Sequence, residues 1–448
     1  MNARTGERIQ LFEVSTLYGA ATLAAALDAG LFGPPDSGRR VLLVSQNAAV
    51  PETAGHLSDM AGWSRVAARF DQVVDWNETI RPHHPSGWHP SPNDSPVWER
   101  LLRLAWDLGD GPVELVVESV HVSPARTLCA LFAEADIHVY ADGLMSYGPT
   151  RDKLPPATAC RVQRLLHLDL VPGLRPLLLS EFDVPAVLVP TAAFREVLRE
   201  LSEGEELHHD PAPTAVLLGQ YLAALGILSV AEEEELHARM VRGAAADGHE
   251  VLLFKPHPTA PASYSRVLEK AAADAGVQLT VLERPMLAET VFAQLRPRLV
   301  VGCFSTAMMT AAACYDIPVA RVGTELLLDR LAPYQNSNRV PVTLVDALVP
   351  PVERGGALVT EDPGVGERVA PLVRTVGFCM QSERYPWLRT EAEHWLRERL
   401  DERTARYFKR RRLTALGLPG GFAPGPLRQL PGSGAALRAA RKVRRKLR

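Results

Sequence analysis

The stretch Val251-Leu252-Leu253-Phe254-Lys255-Pro256-His257-Pro258 decides how the second half of this chain is read. Four apolar residues end abruptly in a cation, two prolines and one imidazole. A short, continuous apolar run closed by proline reads as a strand buried on both faces. The same alternation repeats outward from it. Upstream lie a strand at 214–218 and a helix at 232–246. Downstream follow a helix at 262–275, a strand at 278–282, a helix at 286–295, a strand at 299–302, a helix at 306–314 and a strand at 319–322. The first half carries its own series. Strands are expected at 9–14, 41–45, 113–118, 137–141 and 187–189, with helices at 17–29, 97–108 and 124–135. Short apolar strands separated by helices predict an α/β protein with parallel sheets and helices on both faces.

The polar, acidic segment 201–213, with Glu203, Glu205, Glu206 and Pro211, reads as a linker. It divides the chain into a first domain over 1–200 and a second over 214–390. Residues 391–448 form a charged helix, expected over 391–412, and a Pro/Gly-rich basic tail. Ligands of open parallel sheets bind beyond the carboxyl ends of the strands. Two Rossmann-like domains facing across a cleft would form the GT-B arrangement. Alternation alone does not distinguish that from two unrelated Rossmann-like domains.

Composition sets the limits. The chain has 448 residues, 46% of them apolar and 23% charged, with a formal net charge of −3. This is an ordinary globular composition and excludes a mostly disordered chain. The balanced charge speaks against a dedicated nucleic-acid binder. Arginine outnumbers lysine 43 to six, so arginine positions say little, whereas Lys255 beside His257 stands out. Cys129, Cys160, Cys303, Cys314 and Cys379 form no C-x-x-C pair. That predicts neither a disulfide framework nor a cysteine zinc site, and fits a reducing, cytoplasmic compartment. No apolar segment follows the first eight residues as in a signal peptide. No run of about 18 apolar residues predicts a membrane span.

Three strand-end stretches carry the chemistry. In Phe254-Lys255-Pro256-His257-Pro258 the prolines fix the backbone around one imidazole beside a cation, which suits a phosphate or a leaving-group oxygen. In Gly302-Cys303-Phe304-Ser305-Thr306-Ala307 a strand runs into a helix N-terminus. Ser305 and Thr306 there read either as a cap or as part of a phosphate site. In Tyr140-Ala141-Asp142-Gly143-Leu144-Met145-Ser146-Tyr147-Gly148 a strand delivers Asp142 to the sheet edge. That carboxylate reads as a base for an attacking hydroxyl or as part of an Asp-Gly turn.

Asp142-Gly143, His257-Pro258 and Ser305-Thr306 together resemble, in type and order, the acidic-Gly, His-Pro and Ser/Thr motifs of bacterial sialyltransferases. The resemblance is closest to the α-2,8-polysialyltransferase (POLYST) family. Ser15-Thr16-Leu17-Tyr18-Gly19-Ala20, Gly219-Gln220 and residues 285–289 look like the same family, so the resemblance spans about residues 8–330. It implies a GT-B fold with an N-terminal acceptor domain and a C-terminal donor domain. It also implies an inverting, metal-independent transfer of sialic acid, or a related nonulosonic acid, from its CMP-activated donor to a glycan hydroxyl. Asp142 would be the general base, and His257 would stabilise the departing CMP phosphate. Lys255, Pro258, Gly219, Gln220, Ser305, Thr306 and Glu325 would line the donor side, and Ser15, Thr16 and Gly143 the acceptor side. No cofactor beyond the CMP-sugar substrate is implied, and the sequence holds no D-x-D or H-x-x-x-H ligand set. One departure stands out. The family pattern has two acids before the glycine, whereas Ala141 occupies the first position here. Asp142 remains, with Glu118 the alternative carboxylate.

Five of the seven tryptophans, Trp63, Trp76, Trp88, Trp98 and Trp106, lie in the first half. The loop 81–96, with His83, His84 and His89, reads as a lid or binding loop. Trp88 is a candidate for stacking on an acceptor sugar, while Trp98 and Trp106 sit at helical spacing and read as core. The basic end, 438–448, is a candidate contact with an anionic membrane, which would place the protein at the inner face of the membrane. Two further readings compete. A CDP-glycerol-type glycerophosphotransferase uses a similar Lys-x-His-Pro loop, but its His-Gly-Thr element is not found here. A non-catalytic glycan- or nucleotide-binding protein derived from a transferase would explain Ala141, and the retained Lys255, His257, Ser305 and Thr306 speak against it.

Overall fold

A computed structural model describes residues 6–48, 51, 55–204, 207, 210–257, 265–354 and 364–422. The first lobe holds strands β1 (Ile9–Val14), β2 (Arg39–Val44), β3 (Gln72–Asp75), β4 (Val113–Val117), β5 (Asp136–Ala141), β6 (Val162–His167) and β7 (Ala186–Leu188). They form one parallel sheet in the order β3-β2-β1-β4-β5-β6-β7. The second lobe holds β8 (Ala215–Leu218), β9 (Val251–Lys255), β10 (Gln278–Val281), β11 (Leu299–Gly302) and β12 (Val319–Arg321), parallel in the order β10-β9-β8-β11-β12. The arrangement is α/β with two Rossmann-like sheets, as the GT-B fold requires. Each sheet grows outward from its first strand in one direction and then resumes on the other side. The reversal falls between β1 and β4 in one sheet and between β8 and β11 in the other. Such switch points open a crevice beyond the strand ends.

Residue alternation builds the layers. Ile9 and Leu11 of β1 enter one core with Trp76, Leu102 and Trp106. Phe12 and Val14 enter another, which continues through Tyr140 and Leu166 into β8, β9 and β11 of the second lobe. The lobes therefore share one apolar core on one side of the first sheet. A strand buried on both faces needs no polar alternation, which is why these runs read as continuously apolar.

Several elements differ from expectation. Apolar runs do not announce β3, a half-exposed edge strand, or β6, whose Gln163 and Arg164 interrupt the pattern. The segment 391–412 is two helices, Arg389–Arg399 and Arg410–Leu416, and not one. Asp401 Oδ1 accepts from the backbone N–H of Arg403 and Thr404, and the Thr404 hydroxyl donates to the Arg399 carbonyl, which turns the chain there. Trp106 is buried as expected, but Trp98 is 37% exposed and makes an edge contact with Trp88. Helix Val365–Met380 leaves the second lobe and packs back on the first. A Cβ on its Gly366 would collide with the backbone of Pro172 and Leu174. The Tyr385 hydroxyl accepts from Thr150 N (2.8 Å) and lies 2.7 Å from Glu181 Oε2. Among the described residues no helix is long and apolar enough to cross a membrane. The basic end, 438–448, lies outside the described residues.

Candidate active site

Sheet order brings the motifs together. Ser15 and Thr16 follow β1, Glu118 follows β4 and Asp142 follows β5, three neighbouring strands of the first sheet. Gly219 and Gln220 follow β8, Lys255 and His257 stand at the end of β9, and Ser305 and Thr306 follow β11, three neighbouring strands of the second. The two edges touch. A Cβ on Gly143 would stand 3.1 Å from Thr306 Oγ1. The hydroxyls of Tyr18 and Thr310 bond across the lobes at 2.9 Å.

The first lobe supplies an acidic wall. Asp142 Oδ2 lies over Gly19 in the first turn of helix Leu17–Asp28, where a Cβ would approach it to 3.3 Å. Burial and the charge of Glu118, with a smaller contribution from Glu289, push the Asp142 carboxyl up to about 7. Glu118 is itself raised by burial, and its Oε2 accepts from the Ser15 hydroxyl at 2.8 Å. Behind it, Glu13 is pushed up to about 8 by burial and by Glu118. Glu13 accepts from Ser45 Oγ and from the Glu118 backbone N–H, each at 3.3 Å. Ala141 belongs to the other side of the sheet, where it packs against the core that contains Val139 and Trp106. Ala141 is the last residue of β5, and Asp142 follows it outside the strand.

The second lobe supplies the cationic wall. Burial and the neighbouring charge of Lys255 push His257 down to about 4, so its imidazole is neutral at pH 7 and donates through one N–H. Lys255 is lowered by burial, with Glu289 acting in the opposite direction. Glu289, 2% exposed, is raised by burial, and its Oε1 has no hydrogen-bond partner among the described residues. The Tyr221 ring lies 3.9 Å from that of His257, tilted by 30°. Ser305 caps helix Thr306–Tyr315, its Oγ accepting from Ala307 N at 3.3 Å. The ten-residue helix presents a positive dipole end toward the Asp142-Gly143 turn.

The remaining predicted residues fall as follows. Thr16 caps helix Leu17–Asp28, accepting from Gly19 N at 2.9 Å. Gln220 is buried, and its backbone N–H donates to His237. Gly219 packs against Phe254 and Pro256. Glu325 is held by Arg321 at 2.6 Å and Arg406 at 3.5 Å. Pro258 lies outside the described residues. Trp88 is half-buried between Trp76 and Trp98, in edge contact with both. Sequence reading missed Glu13, Tyr221 and Thr310. Only Glu13 left a signal, as a lone acid in a strand that is apolar on both faces. No group of three His, Cys, Asp or Glu side chains among the described residues is placed to hold a metal ion.

The model of the family described as alpha-2,8-polysialyltransferase (POLYST) matches residues 10–324. No curated protein is significantly similar in sequence. Similar solved structures include the GT-B domain of a sialyltransferase from Photobacterium damselae (TM-score 0.38, 11% identity, 76% of this chain and 96% of that one). Another is a glycosyltransferase from Rickettsia africae (TM-score 0.37, 9% identity, 86% and 93%). A third is MurG from Acinetobacter baumannii (TM-score 0.37, 12% identity, 89% and 97%). The family match covers most of the chain and includes Asp142, His257, Ser305 and Thr306. The protein is a CMP-sialic-acid-dependent glycosyltransferase, and the chain belongs to the α-2,8-polysialyltransferase (POLYST) family.

Proposed function

We propose that this site performs an inverting, metal-independent transfer of sialic acid, or a related nonulosonic acid, from its CMP donor to a hydroxyl of a glycan acceptor. The observation that carries this reading is the contact between Asp142-Gly143 of one lobe and Thr306, at a helix N-terminus, of the other. It sets a carboxylate that takes up protons near neutrality beside a site suited to a phosphate. The acceptor oxygen attacks the anomeric carbon, and its proton passes to Asp142. The bond from that carbon to the phosphate oxygen breaks, and its electron pair leaves with CMP. His257 stabilises the departing phosphate through its N–H, Lys255 adds positive charge, and Ser305, Thr306 and the helix dipole hold the phosphate. Gly219 and Gln220 shape the donor side through their backbone, and Pro258 fixes the residue before it. Glu325, oriented by Arg321, is the candidate for the ribose hydroxyls. Ser15 and Thr16 border the acceptor side.

The experiment is CMP release from CMP-N-acetylneuraminate by the purified protein, with oligosialic or lactosyl acceptors and with EDTA. Release that persists in EDTA and falls sharply in His257→Ala is expected. Absence of both CMP release and CMP binding would sink the donor assignment, and release abolished by EDTA would sink metal independence. We further propose that the protein works in the cytoplasm, where the basic end 438–448 holds it at an anionic membrane face. Full-length chain should sediment with vesicles containing anionic lipid, and a chain ending at residue 422 should not. Equal sedimentation of both would remove the tail from this role.

A further inference from the structure

The loop that follows β8 is held more firmly than a donor-side turn requires. Gln220 N donates to His237 Nε2 at 3.0 Å, and Leu222 N and Ala223 N donate to the two carboxylate oxygens of Glu233 at 2.6 and 3.1 Å. Glu233 and His237 come from helix Val230–Ala246 and are 0% and 1% exposed. Burying a carboxylate and an imidazole is costly unless both are bonded. Here three of their bonds go to amides of one loop, those of Gln220, Leu222 and Ala223 on either side of Tyr221. Gly219 N donates to the Lys255 carbonyl at 2.9 Å, which ties the same loop to the end of β9. A Cβ on Gly219 would stand 3.1 Å from Pro256 Cα, so the two strand ends are also in close contact. What this braced loop presents to the cleft is the half-buried ring of Tyr221, tilted by 30° from the imidazole of His257 with centroids 3.9 Å apart.

We propose that Tyr221 is a positioning residue for His257. The loop pins the phenol ring against one face of the imidazole, which fixes the plane of the ring and keeps water from that face. The ring nitrogens are then presented at the edge in one orientation, as a neutral N–H donor to a phosphate oxygen must be. Among the described residues, the charge acting on the imidazole is that of Lys255 on β9, which Glu289 on helix Ala288–Leu295 influences in turn, while the Tyr221 ring lies against it and His237 and Glu233 hold the Tyr221 loop from behind. Burial and Lys255 both act against an imidazolium here, and the Tyr221 ring supplies part of that burial. The proposal rests on the donor-side reading of His257 for its consequence in catalysis, not for the packing.

Titration of the His257 ring by NMR, in the full-length, ligand-free protein, tests it. Wild type and Tyr221→Phe should titrate alike, because the ring is kept. Tyr221→Leu should raise the midpoint by about one unit or more, toward the ordinary histidine value of about 6.5. Glu233→Gln, which loosens the loop and leaves the ring chemistry intact, should raise it in the same direction and serves if Tyr221→Leu does not fold. An unchanged midpoint in the folded variants overturns the proposal. In CMP release, Tyr221→Leu should lower kcat about 10-fold and leave the donor KM within about threefold. A rise in KM with unchanged kcat would make Tyr221 an ordinary donor contact and overturn the positioning role. If no variant releases CMP, the transfer reading fails, and the titration still decides the case for Tyr221.

Discussion

At the scale of single residues, Asp142 and Glu118 have to be considered as a pair. Their carboxylates stand close enough that the charge of one raises the proton affinity of the other. A positioned general base contributes about 10²–10⁴-fold, and Asp142→Asn is expected to lower kcat by that order while the far-ultraviolet circular dichroism stays unchanged. The base must be ionised to act, so the rate should fall below about pH 7. Glu118→Gln removes a negative charge, lowers the proton affinity of Asp142 and should move that acid limb to lower pH. If Glu118→Gln abolishes turnover and Asp142→Asn does not, Glu118 is the base. Glu13 makes a stability prediction. Its folded-state pKa is raised from 4.5 to about 8, so the folded protein binds a proton that the unfolded chain releases. Its contribution to stability is present below about pH 4.5 and is lost as pH rises to about 8. The thermal midpoint should therefore fall between pH 5 and pH 8, and fall less steeply in Glu13→Gln.

Among the elements, the helix starts do two jobs. Thr16 caps helix Leu17–Asp28 while its neighbour Ser15 bonds Glu118, so the first turn stabilises the helix and orders the acidic wall together. Thr16→Ala should cost about 1 kcal/mol in urea unfolding, the usual loss of a cap. Ser305 likewise caps helix Thr306–Tyr315 at the point where that helix faces Gly143. Capping and ligand binding do not compete here, because an N-cap side chain satisfies one of the orphan N–H groups of the first turn and leaves others to an anion.

The whole molecule depends on how its lobes are held together. Two devices are visible. One is the shared apolar core, and the other is the C-terminal segment that begins in helix Val365–Met380 and returns to the first lobe. Tyr385 is fully buried and bonds Thr150, and its hydroxyl lies 3.0 Å from the Leu177 carbonyl and 2.7 Å from Glu181. Tyr385→Phe leaves those groups without the hydroxyl and should cost about 1–3 kcal/mol, read from urea unfolding. Gly366→Ala puts a methyl group into the backbone of Pro172 and Leu174. It should lower the thermal midpoint and, by shifting the lobes, turnover as well. A variant with wild-type values of both would show that this seam does not set the cleft.

The sequence alone determined the two series of parallel strands, except β3 and β6, and the identity of the strand-end motifs. Each of these is a local property. Continuous apolar runs, helical periodicity and proline-closed strand ends are written in neighbouring residues. Tertiary structure alone decided the rest, because it depends on pairings between residues far apart in the chain. The strand orders put β1, β4 and β5, and β9, β8 and β11, side by side, and so place Asp142 against Glu118 and Gly143 against Thr306. Ala141, where the family pattern has an acid, packs against the core that contains Val139 and Trp106. Glu13, Tyr221 and Thr310 carry no local pattern that marks them. Their roles arise only from burial beside Glu118, from the stack on His257 and from the bond to Tyr18 across the lobes.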